Sequence, residues 1–203
     1  MFYQKKKPAL PRLLYEDHSL QWVEDFKYLG VTFTKSNNLS DGLETLCQQA
    51  RRAQTVLDLH ILKHKTVSVK YIFDLFDTLI KPILLYGSEV YGINNYNTLE
   101  TFYLKFIKII LDIKKSTNIC MVLSETGRYP LSIEIKVNMI KFWMKIVNSE
   151  MDKLIYLAYK GMLTNSIHTN KSTCWTSYIK ELLFSAGFGY IWEQQSVDNV
   201  NNL

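Results

Sequence analysis

The sequence predicts a mainly α protein, with a short N-terminal β-hairpin and strand remnant followed by a helical bundle. Three observations carry that expectation. Pro8, Pro11 and two short β-like runs open the chain; Phe26-Lys27-Tyr28-Leu29-Gly30-Val31 forms an aromatic-flanked, strand-like border; and beyond it apolar residues recur at helical spacings. At 203 residues the chain is long enough for one sizeable core and a small appendage. The predicted boundaries are 1–34 for the β remnant, 35–165 for the helical domain and 166–203 for a C-terminal helix and tail.

The formal charge of +5 favours anionic partners without requiring them. Cys47, Cys120 and Cys174 lie far apart in sequence and fit a reduced compartment. Lys5, Lys6 and Lys7 are followed by prolines rather than by the apolar run of a signal peptide. Lys81-Pro82 and Lys108 interrupt the two most apolar stretches well short of the ~20 residues that spanning a bilayer needs. An intracellular protein of nucleus or cytoplasm is expected, with no secretion and no membrane partner.

Residues 13–15 and 20–23 are apolar runs separated by Glu16-Asp17-His18-Ser19, which predicts a hairpin. Residues 26–33 read as a third strand, with Phe26, Tyr28 and Thr32 on one face and Lys27, Leu29, Val31 and Phe33 on the other. Ser40 or Asp41 caps the first helix, Asp41 standing in the capping-box relation to Glu44. Its seam is Leu43, Leu46, Ala50, Ala53 and Leu57. Arg51 and Arg52 fall off that seam and read as solvated surface before they read as a phosphate clamp. His60 and His64 have the one-turn spacing of a zinc pair. With no Glu after His60, no Cys pair nearby and Lys63 and Lys65 beside them, they read as surface or helix-end histidines.

A core helix begins near residue 66, with Val69, Ile72, Phe73, Phe76, Leu79, Ile80 and Ile83 on one broad face. Lys70 with Asp74 and Asp77 with Lys81 cancel charge on the other face. Pro82 should kink or end this helix, and Gly87 suits the turn after it. Residues 97–113 form the next helix, with Leu99, Phe102, Tyr103, Phe106 and Ile110 inward and a basic far side of Lys105, Lys108 and Lys115. A shorter helix over 118–126 is stopped by Gly127. From Ser132 a further helix carries a seam of Ile133, Val137, Ile140, Met144 and Val147, with Lys141 and Lys145 away from it and no acid between Glu134 and Glu150. A helix over 151–162, a polar loop over 164–172, a last helix over 175–184 ending at Gly187-Phe188-Gly189, and a frayed 199–203 complete the chain.

Catalytic chemistry is sparse in these residues. The adjacent acids, Glu16-Asp17 and Glu24-Asp25, lie in or beside turns and read as surface, and no Gly-rich phosphate loop or nucleophile elbow occurs. No cofactor, metal or small-molecule substrate is expected.

Four landmarks in order carry a resemblance: Phe26-Lys27-Tyr28-Leu29-Gly30-Val31; the Ala-bearing helix; Leu79-Ile80-Lys81-Pro82-Ile83-Leu84-Leu85-Tyr86-Gly87-Ser88-Glu89-Val90-Tyr91-Gly92; and Glu125-Thr126-Gly127-Arg128-Tyr129-Pro130-Leu131. Together they resemble the C-terminal part of reverse transcriptases of non-LTR retrotransposons, LINE-like transposable elements. The resemblance implies that Tyr28, Leu29 and Gly30 fall at the primer grip, which holds the primer's 3′ end. The helices after them would form a thumb over the template-primer duplex. Lys105, Lys108, Lys115, Lys141 and Lys145 become candidates for contacts to the nucleic-acid backbone.

The chain departs from the family in one decisive respect. No Asp-Asp pair occurs, whereas the family's palm binds two metal ions through paired aspartates. Met1-Phe2 looks like the last palm strand. The resemblance therefore implies a piece of an RNA-directed DNA polymerase that is non-catalytic alone, with an RNA/DNA duplex and a separate palm and fingers polypeptide as partners. Two other readings stand beside it: a helical protein-interaction module, and a decayed retroelement reading frame without selected activity.

Overall fold

The structure, a computed structural model, describes residues 13–16, 18–21, 23–28, 31–34, 40–59, 67–92, 96–169 and 174–195. It divides into two units, Met1–Asn38 and Leu39–Leu203. The protein is mainly α, with short antiparallel strands first and a bundle of helices after them. His60, His64, Leu29, Gly30, Met1-Phe2 and residues 199–203 lie outside the described residues. So do the side chains of Ser40 and Asp41.

In the first unit β1 (Leu13–Tyr15) pairs antiparallel with β2 (His18–Leu20), Leu13 opposite Leu20 and Tyr15 opposite His18. The expected hairpin forms, but His18 and Ser19 belong to its second strand, because the ladder closes at Tyr15 and leaves only two residues between strands. Glu16 adopts a φ of +52°, the left-handed backbone that so short a connection demands. β3 (Asp25–Tyr28) pairs antiparallel with β4 (Val31–Thr34), Asp25 opposite Thr34 and Tyr28 opposite Val31. Residues 26–33 are thus two paired strands, not one, and the faces assigned to a single strand do not hold. Alternation of side chains cannot separate one long strand from two short ones.

The second unit begins with α1 (Ser40–Leu57), which buries Leu43, Leu46, Cys47, Ala50 and Leu57. Cys47 extends the predicted seam: it lies one turn beyond Leu43 and packs as a small apolar residue. α2 (Val69–Leu75) starts at Ser68, whose hydroxyl accepts from the Tyr71 amide at 3.3 Å. It runs through a π-helical turn, Phe76–Ile80, into α3 (Lys81–Leu84). The wide turn stands just before Pro82, which lacks an N–H and whose ring crowds the carbonyl four residues back. Its extra residue shifts the helix phase. Phe76, Ile80 and Leu84 enter the core, while Leu79, expected inside, is exposed; Val69, on the opening turn, is exposed as well.

Gly87, at φ +75°, makes the turn into α4 (Ser88–Tyr91). α5 (Asn97–Ile110) buries Leu99, Phe102, Tyr103, Leu104, Phe106 and Ile107. Phe76 stacks on Phe106 with ring centroids 4.4 Å apart and lies 5.4 Å from Tyr103, contacts each worth about 0.5–1.5 kcal/mol beyond area. α6 (Ile119–Thr126) is capped as its sequence requires. Asn118 accepts from the Cys120 amide at 2.8 Å, and Gly127 closes the helix at φ +62°.

α7 (Leu131–Val147) buries only part of the expected seam: Met144 is buried and Ile140 and Val147 are partly buried against the core. Leu131, Ile135, Met139, Trp143 and Ile146 are buried, whereas Ile133 and Val137 are 43% and 41% exposed. Two apolar stripes compete on this helix. The one with Met139 and Trp143 is fully buried, and the opening part of the other, Ile133 and Val137, is left outside.

α8 (Leu154–Thr169) runs through residues 164–169, which the sequence assigned to a loop. α9 (Trp175–Ser185) follows, and after Gly187, at φ +83°, a further helix, α10 (Gly189–Gln194), appears that the sequence reading omitted. These last helices share the core. Trp192 stacks on Trp143 at 5.5 Å, the Trp143 indole donates to the Tyr159 hydroxyl at 3.0 Å, and that hydroxyl donates to Gln195 Oε1 at 2.7 Å. Cys47, Cys120 and Cys174 are all free thiols. Among the described residues no helix is long and apolar enough to cross a membrane.

Candidate nucleic-acid interface

Arg128, in the corner between α6 and α7, organises a polar cluster that joins three elements. Its Nε donates to the Tyr103 hydroxyl at 2.7 Å, and its terminal nitrogen pairs with Asp77. The guanidinium also lies 4.9 Å from the centre of the Phe73 ring. Asp77 accepts in addition from Lys81 at 3.2 Å, and Lys81 reaches Glu134 on α7 at 3.2 Å. Burial works against the charge on Arg128, and its bonds to Tyr103 and Asp77 outweigh that, holding its pKa above the usual value. Lys81 behaves alike, with Glu134 and Asp77 overcoming desolvation.

Beside this cluster, Glu100 of α5 accepts from the Leu131 and Ser132 amides at 3.3 and 3.1 Å, satisfying donors that the first turn of α7 leaves without an intrahelical partner. Burial raises its pKa against those two bonds. The cluster is a clasp. Each of Asp77 and Glu134 is matched by a cation. Among the described residues no three His, Cys, Asp or Glu side chains come together to hold a metal ion.

The sequence-selected residues are dispersed. Tyr28 ends β3 opposite Val31. Lys108 is half-buried and donates to the Lys115 and Thr117 carbonyls at 2.7 and 2.8 Å, tying down the turn after α5. Lys115 is exposed in that turn. Lys141 and Lys145 are exposed on α7, and among the described residues neither takes part in an ion pair. Lys105 is exposed too, but it lines a groove against α1, whereas α5 meets the α6–α7 corner through Glu100 and Tyr103. The five lysines come from α5, the turn after it and α7.

That groove, about 520 Å³, is bounded by Arg51 and Gln54 of α1 and by Asn97, Thr98, Thr101 and Lys105 of α5, over a floor of Phe102, Phe106 and Ile109. No carboxylate lines it among the described residues. Arg51 pairs with Glu44, two turns back on α1, at 3.1 Å. Sequence reasoning treated Arg51 as surface and Arg128 as a corner residue. Arg128 pairs with Asp77, 51 residues away on another element, and Arg51 shares its groove with Lys105, 54 residues away, so no local spacing announces either arrangement. No protein-family model, curated protein or solved structure matches this chain.

Proposed function

We propose that the helical unit is a non-catalytic nucleic-acid-binding module, resembling the thumb of a non-LTR reverse transcriptase and holding a template-primer duplex through its phosphates. One observation carries this reading: the outer side of α7. Lys141 and Lys145 stand exposed one turn apart, no acid occurs between Glu134 and Glu150, and Glu134 is already committed to Lys81. Unneutralised lysines on a rigid helix fit phosphate contacts that position a duplex without reading its sequence. In this reading Tyr28, Leu29 and Gly30 would sit at the primer's 3′ end, and a separate palm polypeptide would supply the metal-binding aspartates.

The test is fluorescence anisotropy of the full chain with a short labelled RNA–DNA duplex across a salt series. Affinity should fall steeply with salt, and K141E/K145E should lower the slope of log K against log salt by about 2. Binding indifferent to salt, or no binding, overturns the reading. A second reading, a protein-interaction module, is favoured by the turn into α8 and its first residue, where Met151 and Leu154 are 76% and 83% exposed. It predicts association that persists in high salt.

A further inference from the structure

We propose that the groove between α1 and α5 is a phosphate seat, in which Arg51 exchanges Glu44 for a phosphate of the bound nucleic-acid strand. The proposal rests on the nucleic-acid reading above and deepens it by assigning a site off the α7 face. Arg51 and Lys105 both line it, one from each helix. A guanidinium presents a planar fork that matches two phosphate oxygens, and an ammonium from the other helix adds a point charge.

Gln54, Thr98 and Thr101 line the same groove and offer neutral donors, and no carboxylate among the lining residues repels an anion. Thr98 and Thr101 lie in the opening turns of the 14-residue α5, where the helix dipole adds partial positive charge. At about 520 Å³ the groove has the volume of a ligand cleft rather than of an ion socket. That size suits a sugar–phosphate unit of a strand.

Glu44 acts as the resident counterion. It meets Arg51 through a single nitrogen at 3.1 Å, and the two side chains are 47% and 56% exposed. A one-armed, solvated pair of this kind is weak and readily exchanged. A phosphate, with more acceptor oxygens and Lys105 in the same groove, displaces it.

The experiment uses the full chain and the same labelled RNA–DNA duplex. E44Q should tighten binding by about two- to fivefold, the worth of an exposed ion pair. R51E/K105E should weaken binding more than about tenfold and lower the salt slope by about 2; both positions are exposed, and far-ultraviolet circular dichroism checks that the helices persist. If E44Q and R51E/K105E both bind as the wild type does while K141E/K145E weakens binding, the groove is refuted and the α7 reading stands. If the wild type does not bind duplex at all, that reading falls, and NMR titration with inorganic tripolyphosphate decides the groove alone. Shifts at the Thr98, Thr101 and Lys105 amides that vanish in R51E/K105E support it, and unmoved amides overturn it.

Discussion

Replacing Arg128 with alanine isolates the clasp that joins α5, the π-helical turn and the α6–α7 corner. The side chain is only 15% exposed and does three things at once: it pairs with Asp77, donates to Tyr103 and lies over Phe73. Breaking a fully buried ion pair from one side costs about 3–5 kcal/mol, and breaking an exposed one about 0–1 kcal/mol. Asp77 is 34% exposed and keeps Lys81 as a partner, which places its loss between those limits. With the cation–π contact included, R128A should cost about 2–4 kcal/mol.

Urea unfolding of the full chain reads this directly, as a midpoint lower by about 1–2 M if the slope is about 2 kcal/mol per molar. A double-mutant cycle with D77N should give a coupling of about 1–2 kcal/mol, because the two groups touch. R128K keeps the charge but loses the planar fork, and should recover only part of the stability. An R128A protein within about 0.5 kcal/mol of the wild type, or strict additivity with D77N, would refute the clasp.

Two further outcomes follow from the same packing. A methyl group added at Gly92 meets Met139 Sδ and, at 2.8 Å each, Ile135 Cγ2 and the Ser88 carbonyl oxygen. The sulfur can swing aside but the carbonyl cannot, so G92A should cost about 1–3 kcal/mol and lower Tm by about 2–4 °C for each of those kcal/mol, as calorimetry will show; an unchanged Tm removes the close approach of α4 to α7. The second concerns pH. Burial raises the Glu100 pKa above its unfolded value, so the folded state binds the proton more tightly, and stability falls as pH rises from the ordinary carboxylate range through the raised value. Subtracting the E100Q stability curve from the wild-type curve should leave that downward slope in mildly acidic solution, and a flat or rising difference contradicts it.

Much of the fold was legible because the signals for it are local. Asn118 and Gly127 bracket α6 with chemistry that few other contexts call for, and the α1 seam follows from spacing alone. The failures are equally specific. Nothing in Phe76–Ile80 marks an extra residue in the turn, yet that residue moves Leu79 from core to solvent. α7 carries two apolar stripes, and the neighbour that chose between them is encoded elsewhere in the chain. Gly187 ends α9 as expected, but a second glycine at 189 hid a short helix whose stability comes from Trp192 packing on Trp143. Lys105 was visible as a basic residue; its groove was not, since Arg51 reaches it only through the packing of α1 on α5.

The paired indoles of Trp143 and Trp192 give the molecule a built-in optical gauge. Rings 5.5 Å apart and 23° from parallel couple their electronic transitions, giving a circular-dichroism contribution that depends on α10 being seated. That signal separates detachment of α10 from melting of the bundle, which the peptide bands report. A ligand that pries the tail loose would announce itself by wavelength before any loss of helicity.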